Sequence, residues 1–170
     1  MKETNVEQLS AKELKAIIKR FHEVGGMLDL SRYHLTDVNL DNYELLETHA
    51  QLSKFSNCSF VKTKMMGSVF DNSYVKTANF SGADLVKSEF HSCDFSGSNF
   101  TQAELIRVLI METNLSGADF SYANLSFASF IDCNLSGVRF DNANLEGCEF
   151  KGCSIDNASW IGVEPPKTIN

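Results

Sequence analysis

The chain has few cationic residues for its acidic content and no long apolar run, and each absence excludes a class of protein. Lys and Arg number 15 against 22 Asp and Glu, a formal net charge of -7. This balance argues against non-specific binding to nucleic acid or anionic membranes, which needs clustered bases. No stretch approaches the roughly 18 apolar residues of a membrane span. We therefore expect neither a nucleic-acid partner nor a membrane partner.

Signals for export are also missing. The start, Met1 to Ser10, is polar and lacks the apolar core of a signal peptide. The five cysteines show no CxxC spacing. Both observations favour a soluble, reduced, cytoplasmic protein.

What the chain has instead is an apolar residue at every fifth position from Leu30 to Trp160. No insertion or deletion interrupts this grid, and among its 27 positions only Ala50 is small. Of the 13 phenylalanines, all but Phe21 and Phe127 lie on the grid. A period of five is neither the 3.6 of a helix nor the 2.0 of a strand, so the grid is an internal repeat.

Each unit carries a second small residue and a turn signal. The residue two before the grid position is small in most repeats, the residue one before is often Asp or Asn, and glycine favours the position two after. Gly and Asn tolerate the positive φ of a turn. Ala78-Asn79-Phe80-Ser81-Gly82 and Ala123-Asn124-Leu125-Ser126 show the pattern.

These units resemble the A(D/N)LxN motif of the pentapeptide-repeat family, over roughly Leu28 to Gly162. The resemblance implies an all-β fold, a right-handed quadrilateral parallel β-helix with four pentads to a coil and about seven coils. We therefore expect residues twenty apart to stack. One such column reads Leu40, Phe60, Phe80, Phe100, Phe120, Phe140 and Trp160, and the opposite column is also rich in phenylalanine. The stacking predicts two aromatic walls that face each other inside the solenoid.

The segment before the repeat predicts a short capping helix. Ser10-Ala11-Lys12-Glu13 is a capping box, an apolar stripe runs from Leu14 to Val24, and Gly25-Gly26 ends the helix. Such a helix covers the open end of a repeat array, although a partner-binding role is the alternative. The sequence thus divides into a capping helix at 1–27, a β-helix at 28–162 and a carboxyl-terminal tail at 163–170.

Catalytic and cofactor motifs are missing from the sequence. It has no P-loop, no GxGxxG and no nucleophile elbow, and its four histidines lack HxxxH-type spacing. Cys93, Cys133 and Cys153 share one predicted inward column; we interpret them as small core residues rather than as a disulfide or metal site. We expect a protein that is not an enzyme and holds no cofactor or metal.

One predicted wall, centred on Phe70, Phe90 and Ile110, has an acidic excess opposed only by Arg32 and Lys151. Its outward acids are Asp29, Asp71, Glu89, Glu112, Asp132 and Glu149. Some pentapeptide-repeat proteins bind DNA gyrase as mimics of its DNA and protect it from quinolones or peptide toxins, so the resemblance implies duplex mimicry as one role for this face. The alternative is a solubilising face. A DNA duplex carries one charge per about 1.7 Å. The acids on this wall are fewer, so the wall would imitate a duplex at a lower charge density.

A second predicted feature is an apolar strip, where outward positions on successive coils are apolar instead of polar. Its residues are Leu46, Met66, Val86, Ile106, Leu109 and Met111. A contiguous exposed apolar strip usually marks an interaction site, although neighbouring Lys and Arg stems could cover it. Our leading hypothesis is a bacterial, non-enzymatic module that binds a protein partner, or a second copy of itself, through its side walls. A DNA-mimicking gyrase or topoisomerase binder is the alternative.

Overall fold

A computed structural model describes residues 7–166. It contains α1 (Ala11–Val24) and the short strands β1 (Glu7–Gln8), β2 (Tyr33–Thr36), β3 (His49–Gln51), β4 (Lys54–Ser56), β5 (Val69–Asp71), β6 (Glu89–His91), β7 (Leu109–Met111), β8 (Ser129–Ile131) and β9 (Glu149–Lys151). They build a parallel β-solenoid with one amino-terminal helix, which confirms the predicted fold class. The solenoid has about six coils, slightly fewer than expected, because β9 begins a coil that is not completed.

Every ladder is parallel, and apart from the pairing of β1 with β2 each joins residues twenty apart. In the six-stranded sheet β3-β5-β6-β7-β8-β9, Phe90 lies between Phe70 on one side and Ile110 on the other. Isolated bridges with the same offset continue along the other sides, for example Asp84 with Glu104 and Asn99 with Asp119. We name the four sides after their central residues in one coil: the Leu105, Ile110, Leu115 and Phe120 walls.

The corners between walls explain the period of five. A corner residue adopts a positive φ, as at Lys87 (58°), Phe127 (58°) and Gly117 (68°). At most corners that follow the Leu105, Leu115 and Phe120 walls, a backbone hydrogen bond between residues three apart closes the turn, such as Ser88 N–H to the Leu85 carbonyl at 3.1 Å. Three residues of strand and two of turn therefore repeat, and each turn redirects the chain onto the next wall.

The interior contains one continuous aromatic stack. The rings of Phe80, Phe100 and Phe120 stack in nearly parallel planes. The centroid distance is 5.0 Å from Phe80 to Phe100 and 4.7 Å from Phe100 to Phe120. Trp160 closes the stack on Phe140 at 4.6 Å. The facing wall is aromatic as expected, but Ile110 interrupts it, and several of its rings meet neighbours edge to face.

The small inward position forms a second ladder, made of hydrogen bonds. Ser53 and Ser73 donate their hydroxyls to backbone carbonyls of the preceding coil at 2.7 and 2.6 Å. The Cys93 thiol makes the equivalent bond to the Phe70 carbonyl at 3.4 Å. No buried side-chain nitrogen or oxygen within the described residues is left without a partner. A small polar side chain is therefore stable at this core position, and cysteine substitutes for serine there.

Helix α1 covers the first coil as predicted. Ser10 accepts from Glu13 N–H at 3.3 Å, and the Glu13 carboxylate accepts from Ser10 N–H at 2.9 Å. These bonds to Ser10 hold the pKa of Glu13 below its ordinary value. Leu14 and Ile18 are buried, whereas Val24 is 76% exposed, so the packed stripe is shorter than the sequence suggests. No helix in residues 7–166 is long and apolar enough to cross a membrane.

Strand β1 precedes the helix and was not predicted. Glu7 and Gln8 pair with Tyr33 and His34 of β2, at the first edge of the Leu115 wall. The amino-terminal segment thus covers both the core and a strand edge, which would otherwise be open to pairing with another chain.

At the opposite end, Asp141 ties the last coil to the one before it. Its carboxylate accepts from the Ser159 hydroxyl at 2.5 Å, from Ile161 N–H at 3.0 Å and from Arg139 at 3.1 Å. The hydrogen bond from Ser159, with those from Ile161 and Arg139, holds the pKa of Asp141 below its ordinary value. Asp41 makes the same contacts with Ser59 and Val61 at the other end of this column.

A carboxylate whose pKa is lowered by folding stabilises the fold above its unfolded pKa, and that contribution is lost as pH falls through the folded pKa. We expect Asp141→Asn to lower the free energy of unfolding by about 1 kcal/mol at pH 7, because a charge-assisted hydrogen bond becomes neutral. The difference should shrink below about pH 4. Urea unfolding at pH 7, 5 and 3 measures it. Asp156→Asn, an exposed change in the same coil, is the control, and equal losses in both variants would contradict the assignment.

Candidate interaction surface

The apolar strip begins on the Leu105 wall, where four successive coils place apolar side chains in one outward column. Backbone hydrogen bonds fix the stacking: Glu47 N–H donates to Met66 at 2.9 Å, and Gly67 N–H donates to Val86 at 3.0 Å. Met66 is 42% exposed, and Leu46, Val86 and Ile106 are partly exposed. The structure therefore brings together the four residues that the sequence placed in one column. On the next two coils after Ile106, the same column carries the polar residues Ser126 and Glu146.

The corner beside this column carries Lys87, Arg107 and Phe127 on consecutive coils. Phe127 is 55% exposed, and its ring lies over Gly147, where an added Cβ would approach a ring carbon to 2.6 Å. The absence of a side chain at Gly147 therefore makes room for the aromatic ring. The corner presents an exposed aromatic residue beside two cations.

Beyond the corner the apolar surface continues onto the Ile110 wall. Leu109 and Met111 flank Ile110 on β7, and both are partly exposed. They line a shallow depression together with Val69, Glu89 and His91.

Sequence reasoning missed two members of this apolar surface. Ile131 pairs directly with Met111, and Val69 shares the outward column of Leu109, two coils earlier. Stacking the sequence by twenties would have revealed both.

The predicted acidic face lies on the same Ile110 wall, and several of its carboxylates accept hydrogen bonds or contact a histidine. His91 lies between two carboxylates: its Nδ1 is 3.3 Å from Asp71 and its Nε2 is 3.6 Å from Glu112. Asp71 also accepts from the Gln51 amide at 2.8 Å, and Glu112 accepts from the Ser92 hydroxyl at 3.1 Å. Hydrogen bonds from Ser31, helped by nearby His49 and Arg32, lower the pKa of Asp29.

The acids do not form an even ladder along the solenoid. In the ladder of the six-stranded sheet, Glu89 is followed by Leu109, then by Ser129, and only then by Glu149. The remaining acid, Asp132, lies at the corner that follows β8. The acidic face and the apolar strip are therefore interleaved on one wall.

The cysteines and histidines of the described residues form no metal centre. Within residues 7–166, no three His, Cys, Asp or Glu side chains are grouped to hold a metal ion. Burial raises the pKa of Cys58 to about 11 and that of Cys93 to about 12, so both are protonated at neutral pH. Burial, with Lys54 nearby, lowers the pKa of His34.

A four-walled parallel solenoid with a five-residue unit defines a class of repeat protein, and comparison with known proteins identifies it. Residues 83–160 match the family model of the pentapeptide repeat region, and solved structures of pentapeptide repeat proteins share the fold. Residues 83–160 of this chain are therefore a pentapeptide repeat region. No curated protein sequence is similar enough to this chain to count as a match.

Similar solved structures include three of QnrB1, a plasmid-mediated fluoroquinolone resistance protein. One trypsin-treated variant is 19% identical with a TM-score of 0.53, and the match covers 80% of this chain and 76% of QnrB1. A second is 23% identical with a TM-score of 0.51, covering 81% and 86%. The full-length protein is 20% identical with a TM-score of 0.50, covering 82% and 88%. At these identities the similarity establishes the fold.

Proposed function

We propose that the protein is a non-enzymatic cytoplasmic module that binds a protein partner through its apolar strip. The observation that carries this proposal is the contiguous apolar surface from Leu46 to Ile106 on the Leu105 wall, continued by Leu109 and Met111 around the corner. Large exposed apolar patches on soluble proteins mark interaction sites more often than not.

Side chains fill the interior of the solenoid, so we expect a binding site on its outer walls. The inward residues Phe80, Leu85, Phe90 and Phe95 are 0% exposed, so this part of the solenoid holds no internal cavity for a substrate. Enzyme sites are concave and exclude water, whereas the depression beside Leu109 is about half open to solvent. Flat, regular walls are better suited to recognising another macromolecular surface.

The strip has the composition of an interface. An apolar centre is bordered by charged residues: Glu44 and Lys64 approach each other at 3.7 Å on one side, and Lys87 and Arg107 occupy the corner on the other. Interfaces combine an apolar centre with a polar rim, and aromatic and arginine residues often dominate their binding energy. Phe127 and Arg107 are therefore the rim residues most suited to anchor a partner. Four coils at about 4.8 Å spacing give the strip a length of roughly 15 Å.

The test compares two matched double variants. Val86→Lys with Ile106→Lys places charges in the strip, and Ser96→Lys with Ser116→Lys places them at the equivalent positions of the opposite Leu115 wall. All four positions are partly exposed and follow a buried central residue. We expect the strip variant to lose at least tenfold in affinity for proteins captured from native lysate, while the control variant retains them.

Sedimentation velocity on the same proteins separates self-association from binding to another protein. A dimer lost only in the strip variant would identify a second copy of the chain as the partner. The proposal is wrong if the folded strip variant retains the same captured proteins and the same oligomeric state as the wild type.

A second candidate function is that of a DNA-mimicking protector of DNA gyrase or another topoisomerase. It is favoured by the six acids on the Ile110 wall, opposed by Arg32 and Lys151. Opposing it, the uncharged residues Leu109 and Ser129 separate Glu89 from Glu149 in the ladder. Six acids opposed by two bases give this wall a charge density well below that of a duplex.

A supercoiling assay with DNA gyrase tests this candidate. A mimic should inhibit supercoiling, or protect it from a quinolone, at micromolar concentrations, and Glu89→Gln with Glu149→Gln should weaken the effect several-fold, because the attraction is electrostatic. Ser96→Lys with Ser116→Lys should leave the effect intact. A protein that neither inhibits supercoiling nor protects it from a quinolone at micromolar concentration would eliminate the candidate.

A further inference from the structure

Cys133 and Cys153 occupy the same inward position on consecutive coils. The backbone around them is in register, since Ile131 pairs with Lys151 and Asn134 bridges to Ser154. The two Cα atoms are therefore one strand spacing apart, about 4.8 Å. Disulfides join Cα atoms that are about 4.4 to 6.8 Å apart.

No other two cysteines within residues 7–166 stack in this way. Thr113 separates Cys93 from Cys133 in the same column, whereas Cys58 and Cys148 belong to the columns before other corners. Among the described residues, Cys133 and Cys153 are thus the one pair of cysteines that occupy the small inward position of one column on adjacent coils.

The two thiols differ in their surroundings. Cys133 is 2% exposed, and its sulfur lies 3.4 Å from the Ile110 carbonyl oxygen. Cys153 lies on the incomplete last coil, is partly exposed and reaches the Phe130 carbonyl at 3.5 Å. A hydrogen bond from the Cys133 thiol lowers the pKa of Cys153 to about 7, and the same contact raises the pKa of Cys133. One sulfur is therefore accessible and readily ionised, and its neighbour is a protonated thiol held beside it.

We propose that Cys133 and Cys153 form a peroxide-responsive disulfide that fastens the last coil to the coil before it. The Cys153 thiolate attacks one oxygen of hydrogen peroxide, the O–O bond breaks, and the hydroxide released takes up a proton to become water. Cys153 is then a sulfenic acid. As Cys133 loses its proton, its sulfur attacks the Cys153 sulfur, the S–S bond forms and the S–O bond breaks. The departing hydroxide takes up that proton as a second water. Two thiols lose two electrons, and one peroxide gains them.

The last coil is the place where this bond can form with little distortion. Bridging requires the sulfurs to approach to about 2.05 Å, and Cys153 has less surrounding structure to displace than Cys133. The disulfide would secure the coil that carries Trp160 and the end of the aromatic stack. Oxidation would therefore stabilise this end of the solenoid against local opening and proteolysis.

The experiment exposes the full chain to hydrogen peroxide at neutral pH, alkylates the remaining thiols and identifies linked peptides by mass spectrometry after tryptic digestion. Arg139 and Lys151 supply cleavage sites between the two cysteines. We expect a linked Cys133–Cys153 peptide as the main product, formed at least tenfold faster than oxidation of Cys58 or Cys93. Dithiothreitol should reverse it.

Three serine variants assign the roles. Serine is structurally compatible because Ser53 and Ser73 occupy the same column as Cys133 and Cys153. Cys133→Ser should leave a sulfenic acid on Cys153 that reacts with dimedone, Cys153→Ser should yield neither the link nor the adduct, and Cys148→Ser should behave as wild type. A link formed by Cys148 in place of Cys133, or no linked peptide in wild type after peroxide treatment, would overturn the proposal.

Discussion

The structure depends on a fixed offset of twenty residues between hydrogen-bonded neighbours. Parallel pairing satisfies the backbone of each coil only if the next coil has the same length, because a change in length would displace every later residue from its column. A five-residue unit with one positive-φ corner meets this condition, since four corners return the chain to its starting wall. The corners are costly for residues with a side chain, at about 1 kcal/mol or more each, which explains the preference for Gly and Asn. The aromatic stack and the hydroxyl ladder follow from this offset, because it repeats each side chain above its equivalent.

The same offset determines the surface. A side chain on one wall has fixed neighbours on the coils above and below, so a column of apolar residues becomes a strip and a pair of cysteines becomes a candidate disulfide. His91 is an example, because its two carboxylate contacts, Asp71 and Glu112, come from the coil before it and the coil after it. The proposed binding surface and the proposed disulfide therefore both depend on columns rather than on loops. The interaction surface and the thiol pair lie in different columns and can act independently.

Most of the fold could be predicted from the sequence, because a repeated sequence unit folds into a repeated structural unit. The grid placed Phe100 in the core and Met66 on the surface, and the structure agrees with both. Features outside the repeat could not be read in the same way. Strand β1 depends on pairing with Tyr33 across α1, and two residues of strand leave no periodic signal. Val24 fits the helical stripe, yet it is exposed because the helix extends past the end of the core.

The candidate site was less predictable than the fold. Columns could be assigned from the sequence, but contacts between long polar side chains could not. Asp71 and His91 are twenty residues apart and so share a column, whereas the approach of Glu112 to the other ring nitrogen depends on side-chain rotamers. The sequence also did not indicate how much of each outward side chain is exposed to solvent. Val86 and Ile106 are only partly exposed because neighbouring coils in the same column cover them.

Two deletions test the twenty-residue offset most directly. Removing residues 81–100 takes out one whole coil and leaves every remaining column aligned. Removing residues 81–85 takes out one pentad, keeps the grid, and moves all later residues by one wall, so that the Phe100 column meets an aliphatic one. We predict that the shorter protein unfolds cooperatively in urea with a larger free energy of unfolding than the longer one, although it has lost four times as many residues. A one-pentad deletion that is as stable as the whole-coil deletion would contradict the account.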